Sequence, residues 1–345
     1  MLPLLLIVTT VVVLSGSAQV VIVAEQQLLP IPQVMVAIGD SFASGNGANR
    51  YDKRVPECFR SPSSWAAQFA TLINKNGTFI NHGCSDGLFA DTTRDRYLGS
   101  VRKDLQGNCP VPPSDLDDFY TEQEGSRKCD HFVQPQILSI DTTVDLVLFA
   151  LGANDLQFKD LVGNCFLAVF RDASGCQAQM DFIRTSAATW TQNLTDILIS
   201  MAPLLKPTAR VIVLQYPHLA LDRPYTYNPI LGGSLEMTNN LRSLGFVLDD
   251  SQRSAIDMAN QAVNRTFVLY YDQAKTLFAG HEPTSNVFSR NRDGWIAESW
   301  GYPLQELYHL NPTGHAQLAG GLYNFMLPLF TPTGPSSVAP VPAPV

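Results

Sequence analysis

Three continuous apolar runs constrain the fold of this chain most strongly. They are QVMVAI at 33–38, VDLVLFAL at 144–151 and ARVIVLQ at 209–215. Short apolar runs rich in valine and leucine are typical of parallel strands that are buried on both faces of a sheet. We expect two more strands, and helices between the strands, over these ranges: strands 78–82 and 266–271, helices 64–74, 180–205, 250–264 and 312–329. This alternation predicts a single three-layer α/β/α domain with a central, mostly parallel sheet, whose ligands bind at the carboxyl ends of the strands.

Two long stretches are predicted to be loops. Residues 91–130 are polar and contain Pro110, Pro112 and Pro113, and residues 217–245 are rich in Pro, Gly and Asn. Proline and glycine of this kind interrupt helices and strands. By contrast, the last helix has a clear start, because Asn311 suits the N-cap position and Pro312 the first turn.

The two ends of the chain differ in composition from the domain. Residues 2–14 are apolar apart from two threonines, and Gly16-Ser17-Ala18 supplies the small residues of a signal-peptidase site. We therefore expect a signal peptide at 1–18 and secretion, the alternative being an uncleaved anchor that extends to Val23. A linker at 19–32, a single folded domain at 33–330 and a disordered tail with five prolines at 331–345 complete the expected organisation.

Charge and cysteine content exclude several classes of protein. The net charge of −8 and the lack of basic clusters argue against a nucleic-acid partner. The six cysteines form no C-x-x-C pair, which argues against a zinc site. In an oxidising compartment their even number predicts three disulfides, with 15 possible pairings. N-glycosylation sequons, also typical of an exported protein, lie at Asn76, Asn193 and Asn264.

Two strand ends carry candidate catalytic groups. GDSFASGNG at 39–47 follows the first strand, which places Ser41 at the carboxyl edge of the sheet beside backbone N–H groups, where a nucleophile and an oxyanion site are needed. LGAND at 151–155 ends another strand and would present the Asn154 amide as an oxyanion donor. Each block taken alone is also an ordinary turn sequence.

A third block, ELYHLNPTGH at 306–315, places His309 in a loop just before the last helix. A loop histidine there is free to face a cleft and to act as a general base. His315 falls inside the helix, and the simpler interpretation of this residue is a packing or surface histidine. The same interpretation applies to the remaining histidines, His82, His131, His218 and His281.

Taken together and in this order, the blocks resemble the GDSL or SGNH hydrolase superfamily, and most of all its secreted bacterial and fungal esterase and lipase branch. The resemblance covers roughly residues 33–329 and includes GCSDG at 83–87. It implies a flavodoxin-like fold without metal or cofactor. It also implies the roles of the site residues: Ser41 is the nucleophile, His309 the base and Glu306 the residue that orients it. The oxyanion donors would be the N–H of Ser41, the N–H of Gly87 or Asp86, and the Asn154 amide.

The chain departs from the family pattern at three positions. Asp86 stands between Cys84-Ser85 and Gly87, where the family has its glycine directly after Cys-Ser. Leu310 replaces a proline and would leave the histidine loop less rigid, and Glu306 replaces the commoner aspartate. Some relatives lack the acid and let a backbone carbonyl orient the histidine; we expect the triad with Glu306.

The resemblance also implies the disulfide pairing. Cys58 with Cys84 and Cys165 with Cys176 match the usual positions of the branch, which leaves Cys109 with Cys129 to close the polar loop.

The expected function is a secreted serine ester hydrolase that acts through an acyl-enzyme on Ser41, with lipid acyl esters favoured. An O-acetyl esterase of polysaccharides or glycans is the alternative substrate class. A non-catalytic glycan-binding protein on the same fold is the alternative of another class. We expect a monomer that does not insert stably into membranes.

Overall fold

The computed structural model describes residues 28–113, 117–167, 172–223, 236–284, 290–298 and 302–330. The expected signal peptide at 1–18 and the expected tail at 331–345 lie outside these ranges. The last residues of the expected linker are described and pack on the domain, since the Leu29 N–H donates to the Leu329 carbonyl at 2.7 Å.

A five-stranded parallel sheet forms the centre of the molecule, as the apolar runs predict. Its spatial order is β2-β1-β6-β7-β8, and its strands are β1 (Val34–Gly39), β2 (Thr78–Asn81), β6 (Leu146–Ala150), β7 (Arg210–Leu214) and β8 (Val268–Tyr271). The neighbours β1 and β6 are in register from Met35 opposite Leu146 to Gly39 opposite Ala150. Their carboxyl ends, where the GDS and GAND blocks begin, therefore lie side by side.

Helices cover both faces of this sheet. They are α1 (Ser41–Ser44), α2 (Trp65–Ile73), α3 (Phe158–Cys165), α4 (Ala173–Met201), α5 (Met237–Val263), α6 (Ala274–Leu277) and α7 (Pro312–Met326). In β1, Val36 and Ile38 pack in the core shared with α3, α4 and α5. Met35 and Ala37 point to the opposite core, shared with α2 and α7. The alternation of a strand thus supplies two hydrophobic cores, which confirms the three-layer α/β architecture.

Side-chain caps explain where several helices begin. Ser64 Oγ accepts from the Ala67 N–H at the start of α2. The expected Asn311 cap of α7 is confirmed, because its Oδ1 accepts from the Gly314 N–H at 2.9 Å. These side chains satisfy N–H groups that have no partner within the helix itself.

The prediction of a loop over 91–130 was wrong. This segment forms an antiparallel sheet in the order β3-β5-β4, from β3 (Arg96–Arg102), β4 (Asp118–Glu122) and β5 (Lys128–Val133). Much of it is exposed or half-buried, so its strands lack the apolar character on which the sequence prediction relied. Cross-strand hydrogen bonds and the Cys109–Cys129 disulfide hold it instead.

The loop predicted over 217–245 was also partly wrong, because α5 begins at Met237 rather than near residue 250. Leu241, Leu244 and Leu248 follow helical spacing on one side of this helix and line a cavity. Asparagines and Gly245 in the same stretch conceal that periodicity in the sequence, and packing of α5 against α4 decides the outcome.

All three implied disulfides are present: Cys58–Cys84, Cys109–Cys129 and Cys165–Cys176. Across the described residues, no helix is long and apolar enough to span a membrane, and no cluster of potential metal ligands occurs. The sequon residues Asn76, Asn193 and Asn264 are all exposed. Their glycosylation stays a prediction.

Candidate active site

The turn after β1 presents Ser41. Gly39 precedes it with φ of +145°, and a Cβ at this position would lie 1.9 Å from the Ala150 carbonyl oxygen. Glycine is therefore the residue that lets β1 pair closely with β6 and then turn sharply. Asp40 caps the short helix α1, since its Oδ1 accepts from the Phe42 N–H at 2.9 Å. Ser41 is the first residue of that helix and is 6% exposed.

His309 lies directly against Ser41. Its Nε2 is 2.7 Å from Ser41 Oγ, and its Nδ1 is 3.1 Å from the Leu307 carbonyl oxygen. Because a carbonyl only accepts, Nδ1 carries the proton and Nε2 is the acceptor for the serine hydroxyl. Burial lowers the pKa of His309 to about 4. The imidazole is therefore neutral at pH 7, in the tautomer that a general base requires.

Two backbone hydrogen bonds hold the loop around His309 despite Leu310. The Tyr308 N–H donates to the Ala297 carbonyl at 2.8 Å, and the Ala297 N–H donates to the His309 carbonyl at 2.7 Å. Tyr308 also has a left-handed backbone, with φ of +61°. Such a conformation persists at a non-glycine residue only where its surroundings enforce it, and here the ring of Tyr308 packs 4.5 Å from that of Phe166.

The expectation that Glu306 orients His309 is not met. The Glu306 carboxylate accepts a hydrogen bond from the Tyr51 hydroxyl at 2.5 Å, and that hydroxyl accepts from the Gly47 N–H at 2.8 Å. The reason is local: the His309 N–H closes a turn onto the Glu306 carbonyl. This turn brings the Leu307 carbonyl, rather than the carboxylate, to Nδ1. The structure thus has a serine–histidine dyad oriented by backbone.

A tight turn distinguishes the two candidate oxyanion residues. The Gly87 N–H donates to the Cys84 carbonyl at 3.0 Å, so it is already used. Asp86 occupies the left-handed region, with φ of +61°. Within the described residues, neither the Asp86 N–H nor the Ser41 N–H has a hydrogen-bond acceptor. Asp86 therefore retains a donor that Gly87 lacks.

The Asn154 amide is oriented by the same turn. Its Nδ2 donates to the Gly87 carbonyl at 3.0 Å. This hydrogen bond uses one of the two amide hydrogens and leaves the second for another acceptor. The Ala153 N–H donates to the Asp40 carboxylate, which brings the GAND block against the turn that carries Ser41.

Asn46 connects the three blocks of the site, although the sequence pattern does not single it out. Its Oδ1 accepts from Ser44 Oγ at 3.0 Å, and its Nδ2 donates to Ser85 Oγ at 3.0 Å and to the Gln305 carbonyl at 3.2 Å. Asn46 is 1% exposed. One buried amide thereby joins the turn that carries Ser41, the turn that follows Cys84 and the loop that carries His309.

His315 is a buried packing residue, in agreement with the sequence interpretation, and it also supports Asn46. The Trp65 N–H donates to His315 Nδ1 at 3.1 Å, so Nε2 carries the proton and donates to the Asn46 carbonyl at 3.0 Å. Of the other histidines, His82 and His131 bind aspartates and His281 stacks on Trp295.

Gln136 binds the backbone at the end of β1, a role that no motif in the sequence indicates. Its Oε1 accepts from the Gly39 N–H at 2.6 Å, and its Nε2 donates to the Gly39 carbonyl at 3.0 Å. The Cys84 N–H donates to the same carbonyl. The Gln136 side chain thus pairs with the backbone of Gly39, and the Gly39 carbonyl also holds the turn that begins at Cys84.

Two acidic residues near Ser41, Asp40 and Asp155, have raised pKa values. Asp40 is fully buried, and this burial raises its pKa to about 7. The Tyr216 hydroxyl donates to its Oδ2 at 3.0 Å. Asp155 lies nearby, and burial raises its pKa to about 6.

An apolar cavity of about 90 Å³ adjoins the dyad. Phe42 forms part of its wall, with its ring centroid 5.6 Å from that of His309 and 5.0 Å from that of Tyr216. Most of the remaining wall is aliphatic, from Ala153, Leu156, Leu161, Ile183, Pro217, Leu219, Leu241, Leu244 and Leu248. A water molecule needs about 10–15 Å³ of such volume, so the cavity has room for a short hydrocarbon chain.

Known proteins are similar to this chain in both sequence and fold. A lipase from Streptomyces rimosus is 26% identical over 298 residues, which is 83% of this chain and 83% of that protein. The crystal structure of the extracellular lipase from the same organism matches with a TM-score of 0.57 and 21% identity, over 87% of this chain and 100% of that one. The chain thus has the fold of this extracellular lipase and is similar to the lipase in sequence. A phospholipase A1 from Streptomyces albidoflavus NA297 has the same fold, with a TM-score of 0.57 and 20% identity over 86% of this chain and 98% of that one. No family model matches.

Asp86 is the main departure of this chain from the block pattern, and the turn geometry accounts for it. The position after Cys84-Ser85 has a positive φ, which glycine adopts most easily and aspartate tolerates better than most residues. The turn therefore keeps its shape, and the extra carboxylate of Asp86 is exposed.

Proposed function

We propose that this ester hydrolase cleaves lipid acyl esters through an acyl-enzyme on Ser41. The observation that carries the proposal is the 2.7 Å hydrogen bond between Ser41 Oγ and His309 Nε2, beside an apolar cavity walled by Phe42. A serine hydroxyl is a weak nucleophile until a neighbouring base accepts its proton.

The proposed reaction has two steps. Ser41 Oγ attacks the ester carbonyl while its proton moves to His309 Nε2, and the imidazolium then protonates the departing alcohol. In the second step His309 removes a proton from water, the hydroxide attacks the acyl group, and the acid leaves as Ser41 regains its proton. In both steps the Leu307 carbonyl faces Nδ1–H at 3.1 Å and stabilises the positive ring.

Three donors are proposed to bind the oxyanion: the N–H groups of Ser41 and Asp86 and the free amide hydrogen of Asn154. The choice of Asp86 over Gly87 is supported by the Cys84 carbonyl, which already occupies the Gly87 N–H. Loss of one such donor costs about 3 kcal/mol of transition-state stabilisation in comparable sites.

The cavity supports acyl chains over acetyl groups. The Phe42 ring lines the cavity and lies 5.6 Å from the His309 ring, so the apolar wall begins beside the reacting groups. Burial of each methylene there contributes about 0.8 kcal/mol. An acetyl ester of a glycan would leave this wall uncovered and gain none of that energy.

We also propose that the protein is secreted and monomeric. The apolar segment at 2–14, the three disulfides and the extracellular lipase of similar sequence support secretion. Disulfides persist mainly in oxidising compartments.

Two measurements on the purified protein test the proposed function. A fluorophosphonate probe should label Ser41, located by mass spectrometry, and the label should disappear in Ser41→Ala. Ser63→Ala is the control serine substitution and should keep the label. Nitrophenyl esters of increasing chain length should show kcat/KM that rises from acetyl to a medium-length chain.

The outcomes separate the alternatives. An optimum at acetyl, together with release of acetate from an acetylated polysaccharide, would favour the glycan esterase. Absence of both labelling and ester cleavage in folded protein would leave the non-catalytic binding protein.

A further inference from the structure

The cavity beside the dyad contains one polar side chain whose role the proposed reaction does not explain. Of its described lining residues, Tyr216 and His218 have polar side chains. The Tyr216 hydroxyl is used, because it donates to Asp40 at 3.0 Å. His218 is 4% exposed, and within the described residues its ring nitrogens have no hydrogen-bond partner.

The ring of His218 is held in place by its neighbours. Phe246 packs edge-on against it, with ring centroids 5.4 Å apart. On another side, the Nδ1–Cε1 edge faces α5, since a Cβ built on Gly245 would lie 3.0 Å from Nδ1. Glycine at 245 thereby leaves room for the ring at the cavity wall.

The surroundings also determine the charge of His218. Burial, and then the cationic side chains of Lys275 and Arg242, lower its pKa to about 3. A neutral imidazole offers one N–H donor and one acceptor nitrogen. His218 is thus a fixed, uncharged hydrogen-bonding group in a wall that is otherwise largely aliphatic.

A polar group at the wall of an apolar cavity favours a ligand that supplies it with a hydrogen-bond partner. A plain hydrocarbon chain in this cavity cannot do so. A chain with an oxygen atom at the correct depth can, because a hydroxyl both donates and accepts and a ketone accepts from the ring N–H.

We propose that His218 is a specificity-determining residue that selects esters whose acyl chain carries a hydroxyl or oxo group. The inference rests on the proposed function, since it assigns the cavity to the acyl chain. It concerns the acyl side of the ester and leaves the chemistry of Ser41 and His309 unchanged.

The test uses methyl esters of one chain length and measures acid release by titration. The series is methyl hexanoate, its oxo derivatives with the ketone moved one carbon at a time, and its terminal hydroxyl derivative. Wild-type enzyme should prefer at least one oxygenated ester over hexanoate by about tenfold in kcat/KM, the effect of one well-made buried hydrogen bond.

Variants then assign the preference to the ring. His218→Phe should abolish it and increase activity on plain hexanoate, while His218→Gln, which keeps a donor and an acceptor, should retain part of it. Leu244→Met is the matched control at the same wall and should leave the ratio between esters unchanged.

Three results overturn the inference: wild-type ratios near one for every oxygenated ester, a preference that survives in His218→Phe, or a preference that Leu244→Met removes equally. The first needs no variant and so does not depend on mutant folding. A wild-type protein that cleaves none of the esters, hexanoate included, would instead contradict the proposed function.

Discussion

Replacement of Glu306 by glutamine tests the dyad most directly. The carboxylate accepts from the Tyr51 hydroxyl at 2.5 Å, and the base is oriented by the Leu307 carbonyl. The glutamine oxygen can still accept from Tyr51, but a hydrogen bond to a neutral acceptor contributes about 1 kcal/mol less than one to a charged acceptor. We therefore expect Glu306→Gln to lower the free energy of unfolding by about 1–2 kcal/mol and kcat by less than about threefold.

A triad carboxylate would behave very differently, since its loss costs about 10⁴ in kcat. The assay is steady-state hydrolysis of a nitrophenyl ester at saturating substrate, paired with chemical denaturation to separate activity from stability. His309→Gln is the control for loss of the base and should be nearly inactive. Tyr51→Phe is the second control, because it leaves the buried Glu306 carboxylate without its hydrogen-bond partner. This variant should have a lower free energy of unfolding and a nearly unchanged kcat. A drop of a thousandfold or more in kcat for folded Glu306→Gln would refute the dyad.

Four further perturbations have defined outcomes. Because burial lowers the pKa of His309 to about 4, the base stays deprotonated down to that pH, and kcat/KM should be constant from pH 7 to about 5 and fall with a midpoint near 4; a midpoint near 6.5 would contradict this. Asp40 has a folded-state pKa of about 7 against 3.8 for an unperturbed aspartate, so the folded state binds the extra proton and the contribution of Asp40 to stability should decrease as pH rises from 4 to 7. The free energy of unfolding of the wild type relative to Asp40→Asn should therefore fall over this range, and a constant difference would contradict the raised pKa. Asn154→Ala should lower kcat about a hundredfold with little change in KM, because its amide acts mainly in the transition state; a near-normal kcat would remove it from the oxyanion site. Asn46→Ala should lower kcat about tenfold, while Asn46→Asp, which keeps the acceptor for Ser44 but loses the donor to the Gln305 carbonyl, should recover little; equal activity of all three proteins would show that the amide does not position the site.

The central sheet could be predicted from sequence because its strands are recognisable from the residue composition of short segments. Strands β1, β6 and β7 are buried on both faces, so nearly every residue in them is apolar and the run is visible without any partner. The order of the GDS, GAND and histidine blocks likewise indicates which strand ends meet. Strands β3 and β5 carry no such signal, since cross-strand pairing decides their structure and many of their side chains face solvent.

The sequence by itself determined the parallel sheet, the nucleophile turn and the identity of Ser41, Asn154 and His309 as the candidate site residues. The tertiary structure decided how they are supported: a turn uses the Gly87 N–H and leaves that of Asp86 free, and the Glu306 carboxylate goes to Tyr51 rather than to the base. Asn46 illustrates the reason, because its partner at Gln305 lies far along the chain from it. Hydrogen bonds between such distant residues depend on where the fold places each backbone group, and a one-dimensional pattern of residue types does not contain that geometry.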